Sequence, residues 1–379
     1  MISLEKYKSG SLQSGVGYKY FVPTKINEQW QWQDTQLNTL LEKASIYLGE
    51  LNSYAKLVPN IDLFIQLHVK KEAVISSRIE GTQTNIKEAI LPVEEIAPER
   101  RNDWKEVQNY TQALNTAIEN LERLPLSSRL LKNAHEVLLS GVRGEHKLPG
   151  EFRTSQNWIG GSGPTDAIFV PPAHHYVEEL MGDLENFLHN DKINVPALIR
   201  IGIAHYQFET IHPFLDGNGR IGRLLITLFL VDQNILHLPL LYLSVYFERN
   251  KSNYYDNLTR VRDKSDMLHW LKYFLIGIEQ TSKEAVSKLS EIIELKKRLE
   301  SEIHKTWGRR TQSALILLNH LFNEPIVTVK VTERICSLSK KAAGDLIESF
   351  EKNKILQELT GQSRNRVFIF DSYLDLFNG

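Results

Sequence analysis

Apolar residues recur at i, i+3, i+4 and i+7 through most of the first 280 residues, the spacing of helices that bury one face. This pattern predicts helices over 36–57, 61–79, 102–121, 127–139, 177–189, 195–210, 224–233, 254–262 and 265–280. In the first of them Leu37, Leu40, Leu41, Ala44, Ile46, Leu48 and Leu51 recur at helical spacing. The second closes at Gly81, a residue suited to the left-handed position that ends a helix. Strand signals are few. Residues 157–172 place two short apolar stretches around Gly-Ser-Gly-Pro, which predicts a hairpin or flap. Residues 238–247 form an apolar run that fits either element, and the first 35 residues are polar and mixed.

Residues 282–307 predict a charged connecting helix without glycine or proline. The order then changes: a helix at 311–322, a strand at 326–329, helices at 331–337 and 340–353, and strands at 355–359 and 366–370 around Thr360-Gly361-Gln362-Ser363. That order is that of a winged helix, a helix-turn-helix relative. The expected fold is therefore mostly α, a helical bundle with a short β-hairpin flap, followed by a C-terminal winged-helix (α+β) domain. The expected division is 1–110, 111–280, a linker helix at 281–310, and 311–379.

The bulk composition narrows the function only slightly. A chain of 379 residues with 42 % apolar and 24 % charged residues is ordinary globular material. Its net charge of −1 gives no global field to recruit nucleic acid or membrane. The single cysteine, Cys336, excludes a disulfide framework, predicts plain packing, and points to a reducing, cytoplasmic compartment. No signal pattern opens the chain, and no run has the roughly 18 apolar residues of a membrane span.

The chemistry concentrates in His212-Pro213-Phe214-Leu215-Asp216-Gly217-Asn218-Gly219-Arg220-Ile221-Gly222-Arg223, directly before the apolar run from Leu224 to Val231. A glycine turn that opens a helix presents unpaired N–H groups and the positive end of the helix dipole, a natural phosphate site. Arg220 and Arg223 lie three apart, share a face of that helix, and suit phosphate oxygens. Two other readings compete. Gly217, Gly219 and Gly222 satisfy G-x-G-x-x-G, but the βαβ context of a dinucleotide site is missing. His205, Glu209 and His212 imitate a metal face, but Pro213 predicts that the helix ends before His212, leaving His205 and Glu209 as buried hydrogen-bonding groups.

These residues resemble the Fic family, whose signature H-x-F-x-[D/E]-G-N-G-R-x-x-R is matched at every defined position. Further segments are similar: Pro149-Gly150-Glu151-Phe152-Arg153 before the flap, Ser76-Ser77-Arg78-Ile79-Glu80-Gly81 against the inhibitory motif [S/T]-x-x-x-E-[G/N], and Leu241-Tyr242-Leu243-Ser244. The resemblance covers about residues 20 to 280 and implies a Fic-type bundle with an inhibitory helix near 61–81. It also implies a protein adenylyltransferase that moves AMP from ATP to a Ser, Thr or Tyr hydroxyl of a protein. His212 would be the catalytic base and Asp216 the Mg²⁺ ligand. Gly217, Asn218 and Gly219 would form the anion hole, with the Asn218 amide on the α-phosphate. Arg220, Ile221, Gly222 and Arg223 complete the ATP site, the arginines on the β- and γ-phosphates. Gly219 stands where a kinase variant of the family has lysine; phosphocholine transfer is another variant that the motif leaves open.

The resemblance further implies that Ile168, Phe169 and Val170 of the flap dock the target's extended segment by strand addition. Glu80, with Ser76, would pair with Arg223 and hold the enzyme self-inhibited; in some relatives the same glutamate supports removal of AMP. Tyr254 and Tyr255 read either as an adenine pocket or as core tyrosines. Expected partners are a hydroxyl-bearing target protein, the chain itself as substrate, and a second copy in a homodimer, with no membrane. DNA is less favoured, because residues 311–379 carry eight Lys/Arg (Lys330, Arg334, Lys340, Lys341, Lys352, Lys354, Arg364, Arg366) against eight acids. The alternative is an ATP-sensing winged-helix DNA-binding regulator without transfer activity. An intact His212 favours the enzyme, since sensing phosphate does not require a base.

Overall fold

The structure is a computed structural model, which describes residues 1–57, 61–359, 361 and 366–377. The chain opens with β1 (Ile2–Ser3), β2 (Gly10–Ser14), β3 (Lys19–Pro23) and β4 (Trp30–Gln31). The helices α1 (Thr35–Leu57), α2 (Ile61–Ile79), α3 (Ile86–Ile90), α4 (Arg101–Leu121), α5 (Ser128–Leu139), α6 (Val177–His189), α7 (Ala197–Ile211), α8 (Asn218–Asp232), α9 (Ser244–Arg249), α10 (Lys251–Lys264) and α11 (Met267–Thr306) follow. The remainder is α12 (Thr311–Asn323), β5 (Ile326–Thr328), α13 (Val329–Cys336), α14 (Lys340–Lys352), β6 (Gln357–Glu358), β7 (Val367–Ile369) and α15 (Asp371–Leu374).

The architecture is mostly helical, as the apolar spacing predicts, and α7 and α8 lie at its centre. Ile199, Ile201, Ile203, Ala204, Tyr206, Phe208 and Ile211 of α7 are all buried, as are its polar residues Arg200, His205, Gln207, Glu209 and Thr210, so this helix has no solvent-facing side. Leu225, Leu228, Phe229 and Leu230 bury α8 in the same core. Helices buried all round are fixed on every side, and the loop between them, residues 212–217, inherits that rigidity.

Three regions differ from the expected pattern. First, the N-terminal 35 residues contain strands. β2 pairs antiparallel with β3, Leu12 opposite Phe21, and β1 pairs parallel with β4. Second, residues 265–280 and the expected connector form one continuous helix, α11, of 40 residues. Ala285, Leu289, Ile292, Leu295, Leu299 and Ile303 give its charged half a buried stripe. The expected divisions at 110/111 and 280/281 thus fall inside α4 and α11. Third, the apolar run at 238–247 is a loop leading into the short α9.

The C-terminal residues keep the expected order of helix, strand, two helices and two strands, with the sheet ordered β5-β7-β6. Ile326 and Gln357 both register on Ile369. The turn expected at 360–363 (Gly361 apart) and Arg364 lie outside the described residues. This unit packs on α2, where the Phe377 and Phe64 rings lie 6.0 Å apart, and Lys87 after α2 pairs with Asp371. Cys336 is buried, its thiol donating to the Ser313 carbonyl at 3.5 Å. Among the described residues no helix is long and apolar enough to cross a membrane.

Candidate active site

His212 caps the C-terminus of α7 in the left-handed conformation, φ 52° and ψ 60°. A side chain there is disfavoured unless its surroundings over-determine it. They do so here. The His212 carbonyl accepts from Arg153 Nε at 2.9 Å and Asn157 Nδ2 at 3.1 Å, and the Pro213 carbonyl accepts from Arg153 N at 2.9 Å. His212 Nδ1 faces the Glu209 carbonyl at 3.3 Å, an acceptor, so Nδ1 carries the proton of the neutral ring and Nε2 keeps its lone pair. Burial, then the Arg153 charge, pulls the His212 pKa down to about 4, so the ring is neutral at pH 7.

The turn into α8 is locked from within. Asn218 Oδ1 accepts from Phe214 N, and Asn218 Nδ2 donates to the Phe214 carbonyl, both at 2.8 Å. Oδ1 and one of the two Nδ2–H donors of this buried amide are thus satisfied by Phe214, which holds Asn218 in the loop. The His135 ring stacks on Phe214, centroids 3.8 Å apart. Its Nδ1 accepts from Gly150 N at 3.0 Å, which leaves Nε2–H to donate to the Asp216 carbonyl at 2.9 Å. Gly217 is the N-cap of α8 at φ +76°, where a side chain would press on Leu138 and His135. Asp216 Oδ1 accepts from Gly217 N at 2.6 Å.

The two arginines are both held by acids from earlier in the chain. Arg223, its side chain 2 % exposed, donates through Nε to Ser76 Oγ at 2.9 Å. Its Nη2 donates to the Ser76 carbonyl and to Glu80 Oε1, both at 2.8 Å. Burial would raise the Glu80 pKa, but Arg223, by charge and hydrogen bond, holds it below the usual carboxylate value. A Cβ on Gly219 would collide with Glu80 Oε1, so the space that this glycine leaves over the turn is taken by the carboxylate. Lys251 Nζ caps the end of α2 through the Ile79 carbonyl at 2.8 Å.

Arg220 Nη1 donates to Glu106 Oε2 of α4 at 3.1 Å, and its Nη2 lies 3.6 Å from Asp216 Oδ1. Glu106, 114 residues away in sequence, escaped the sequence reading because nothing local marks it. The same holds for His135 and Asn157. Behind Gly222, the buried Glu209 has no hydrogen-bond partner at Oε1 among the described residues, and burial pushes its pKa up to about 7. His205 is a satisfied core histidine: Nδ1 donates to the Gly222 carbonyl, and Nε2 accepts from Tyr254 OH, both at 2.9 Å.

The tyrosines and the flap residues divide by exposure. Tyr254 is 1 % exposed, with its ring against Phe247 and its hydroxyl on His205, so it is a core residue. Tyr255 is 41 % exposed, and the Glu80 and Arg223 charges reach it. The flap forms a single antiparallel bridge, Ile159 to Phe169. Of its expected docking residues Ile168 stands clear, 81 % exposed. Val170 is buried and its carbonyl already accepts from Phe21 N of β3 at 2.9 Å, an element that the sequence pattern missed. The Phe169 ring lies between Phe21 and Arg262.

A neutral histidine, a carboxylate and two arginines around a glycine-opened helix have the donors and charges that could hold phosphate. Residues 38–119 match the Fic/DOC family N-terminal region and residues 125–230 match the Fic/DOC family. The Fic/DOC N-terminal and Fic regions thus lie within residues 38–230 of this chain. It is 30 % identical over 182 residues to a probable protein adenylyltransferase of Aquifex aeolicus, covering 47 % of this chain and 52 % of the relative. It is 29 % identical over 156 residues to protein adenylyltransferase fic-1 of Caenorhabditis briggsae, covering 38 % and 28 %. The chain thus spans about half of the first relative's length and less of the second's. A crystal structure of a Fic family protein from Desulfovibrio desulfuricans shares the fold at TM-score 0.56 and 19 % identity, over 90 % of this chain and 98 % of that one.

Proposed function

We propose that this chain is a protein adenylyltransferase that moves AMP from ATP to a Ser, Thr or Tyr hydroxyl of a target protein, and that Glu80 holds it self-inhibited. The observation that carries the reading is His212: a neutral imidazole, its Nε2 lone pair free of the Glu209 contact, set beside the phosphate turn. The acceptor hydroxyl gives its proton to Nε2 as its oxygen bonds to the α-phosphorus. The bond from that phosphorus to the oxygen bridging the β-phosphate breaks, and pyrophosphate leaves with the electron pair. The N–H groups that open α8 and the two arginines stabilise the charge on the phosphate oxygens.

Asp216 fits the role of Mg²⁺ ligand. Its side chain is 38 % exposed, and a lone carboxylate suits an ion that takes most of its ligands from phosphate and water. When bound, the ion would supply further charge to the phosphates.

Inhibition follows from competition for one cation. The Glu80 carboxylate takes the Arg223 guanidinium and the space over Gly219, both of which a triphosphate needs. Residues 1–110 would supply this inhibitory helix and 111–280 the transferase, with the linker inside α11. Residues 311–379 would form a winged helix for protein docking, given their even charge.

The test is label transfer from ATP marked at the α-phosphate, with Mg²⁺, comparing wild type, Glu80→Gly and Glu80→Gly/His212→Ala. Label on protein in Glu80→Gly alone is the expected result. No label in any variant that still binds ATP would overturn the reading.

A further inference from the structure

We infer that Arg262, outside the signature motif, is a positioning residue that fixes the returning strand of the flap relative to His212, with Phe21 of the N-terminal hairpin as its second hold. The flap's base is tied to the motif: Arg153 Nη2 donates to the Pro172 carbonyl at 2.5 Å, and Asn157 Nδ2 to the His212 and Phe214 carbonyls at 3.1 and 2.8 Å. Its middle has one bridge of its own, Ile159 to Phe169, and an isolated two-stranded ribbon is marginal in water.

The missing support comes from two distant segments. The Arg262 guanidinium carbon lies 4.0 Å from the centroid of the Phe169 ring, a cation–π contact. Phe21 N donates to the Val170 carbonyl at 2.9 Å. Arg262 is itself fixed, its Nη2 donating to Thr259 Oγ1 at 3.0 Å. The Arg262 carbonyl accepts from Ser9 Oγ at 3.0 Å, and Ser9 N donates to Ser265 Oγ at 3.1 Å. The root of the N-terminal hairpin and the end of α10 are thus fastened together, and each holds the strand that carries Phe169 and Val170. The consequence for catalysis rests on the adenylyl-transfer reading: the flap would set where the acceptor hydroxyl lies along the site.

Hydrogen exchange on the resting protein, without nucleotide, tests the hold itself. The reporters are the Ile159, Ile168 and Phe169 amides, which donate across the bridge. Arg262→Ala and Phe169→Leu should each speed their exchange roughly 5- to 30-fold, the span of a desolvated cation–π contact, with α7 amides unchanged. The double variant should exchange no faster than the faster single variant, because both remove one contact. Unchanged exchange in Arg262→Ala, or multiplied effects in the double variant, would overturn the inference. If Arg262→Ala does not fold, Phe169→Leu alone decides, and unchanged exchange at Ile159 overturns it. In the Glu80→Gly background, Arg262→Ala should lose transfer while keeping ATP affinity. Faster flap exchange with undiminished transfer would sink the positioning role. Absence of transfer in Glu80→Gly itself would instead sink the enzyme reading and leave the exchange result standing.

Discussion

Two arginines one turn apart on α8 meet two glutamates from the N-terminal region, and the two pairs are built differently. Arg220 and Glu106 are both nearly sealed, their side chains 4 % and 3 % exposed, and Glu106 sits in mid-helix. Arg223 is equally buried, but Glu80 is 32 % exposed and lies one residue beyond the end of α2. A pair buried on both sides leaves two charges stranded away from water if it parts. A pair whose acid sits on a frayable helix end, half in water, separates cheaply. On the proposed inhibition, the same chemistry would serve as fixture in one place and as latch in the other.

The largest effect should come from the group that neither pair touches. In the Glu80→Gly background, replacing His212 by Ala should cut transfer about 10²- to 10⁴-fold, the usual contribution of a positioned base, with ATP binding retained in calorimetry. The pH profile of Glu80→Gly sharpens this. A base held near a pKa of about 4 is deprotonated above that value and lost as pH falls through it. Transfer should thus stay level down to about pH 5, well below the ordinary histidine midpoint of about 6.5. A fall centred near the ordinary midpoint would show that His212 is not desolvated as described.

Opening the latch comes next. Glu80→Gly should raise transfer about 10- to 100-fold, the worth of a charge-assisted contact returned to the nucleotide. Equal rates in the two proteins would break the comparison. Removing the fixture should act on the fold instead. Glu106→Gln should destabilise the protein by about 2 kcal/mol in denaturant unfolding, as expected when a buried arginine loses the nearer of its two carboxylates. Glu80→Gly should cost less. If the two variants lose equal stability, both pairs are latches or both are fixtures. The smallest effect should be Tyr254→Phe, about 1 kcal/mol for the lost bond to His205, with ATP affinity unchanged.

The parts of this protein that were legible in its sequence are those with local causes. The bounds of α2 and α6 follow from helical apolar spacing and, for α2, the stop near Gly81. The phosphate turn is contiguous, and its residue types admit few alternatives. What stayed hidden depends on distant partners. β2 and β3 are built from Gly, Ser, Gln and Lys as much as from apolar residues, so they carry no strong alternation; their pairing and the hold on Val170 stabilise them. The apolar stripe of α11 beyond residue 281 is diluted by charges, and its partner α1 lies far earlier in the chain. Glu106 reads as one more acid on an amphipathic helix until Arg220 is brought beside it.

The left-handed backbone at residue 212 decides which mutant is informative. An alanine there removes the imidazole but also meets the steric cost of that conformation, so its defect mixes lost chemistry with a shifted turn. Asparagine visits this region more readily and can still hydrogen-bond locally. His212→Asn is therefore the cleaner chemical knockout, and the gap between it and His212→Ala measures how much of catalysis is owed to the shape of the main chain alone.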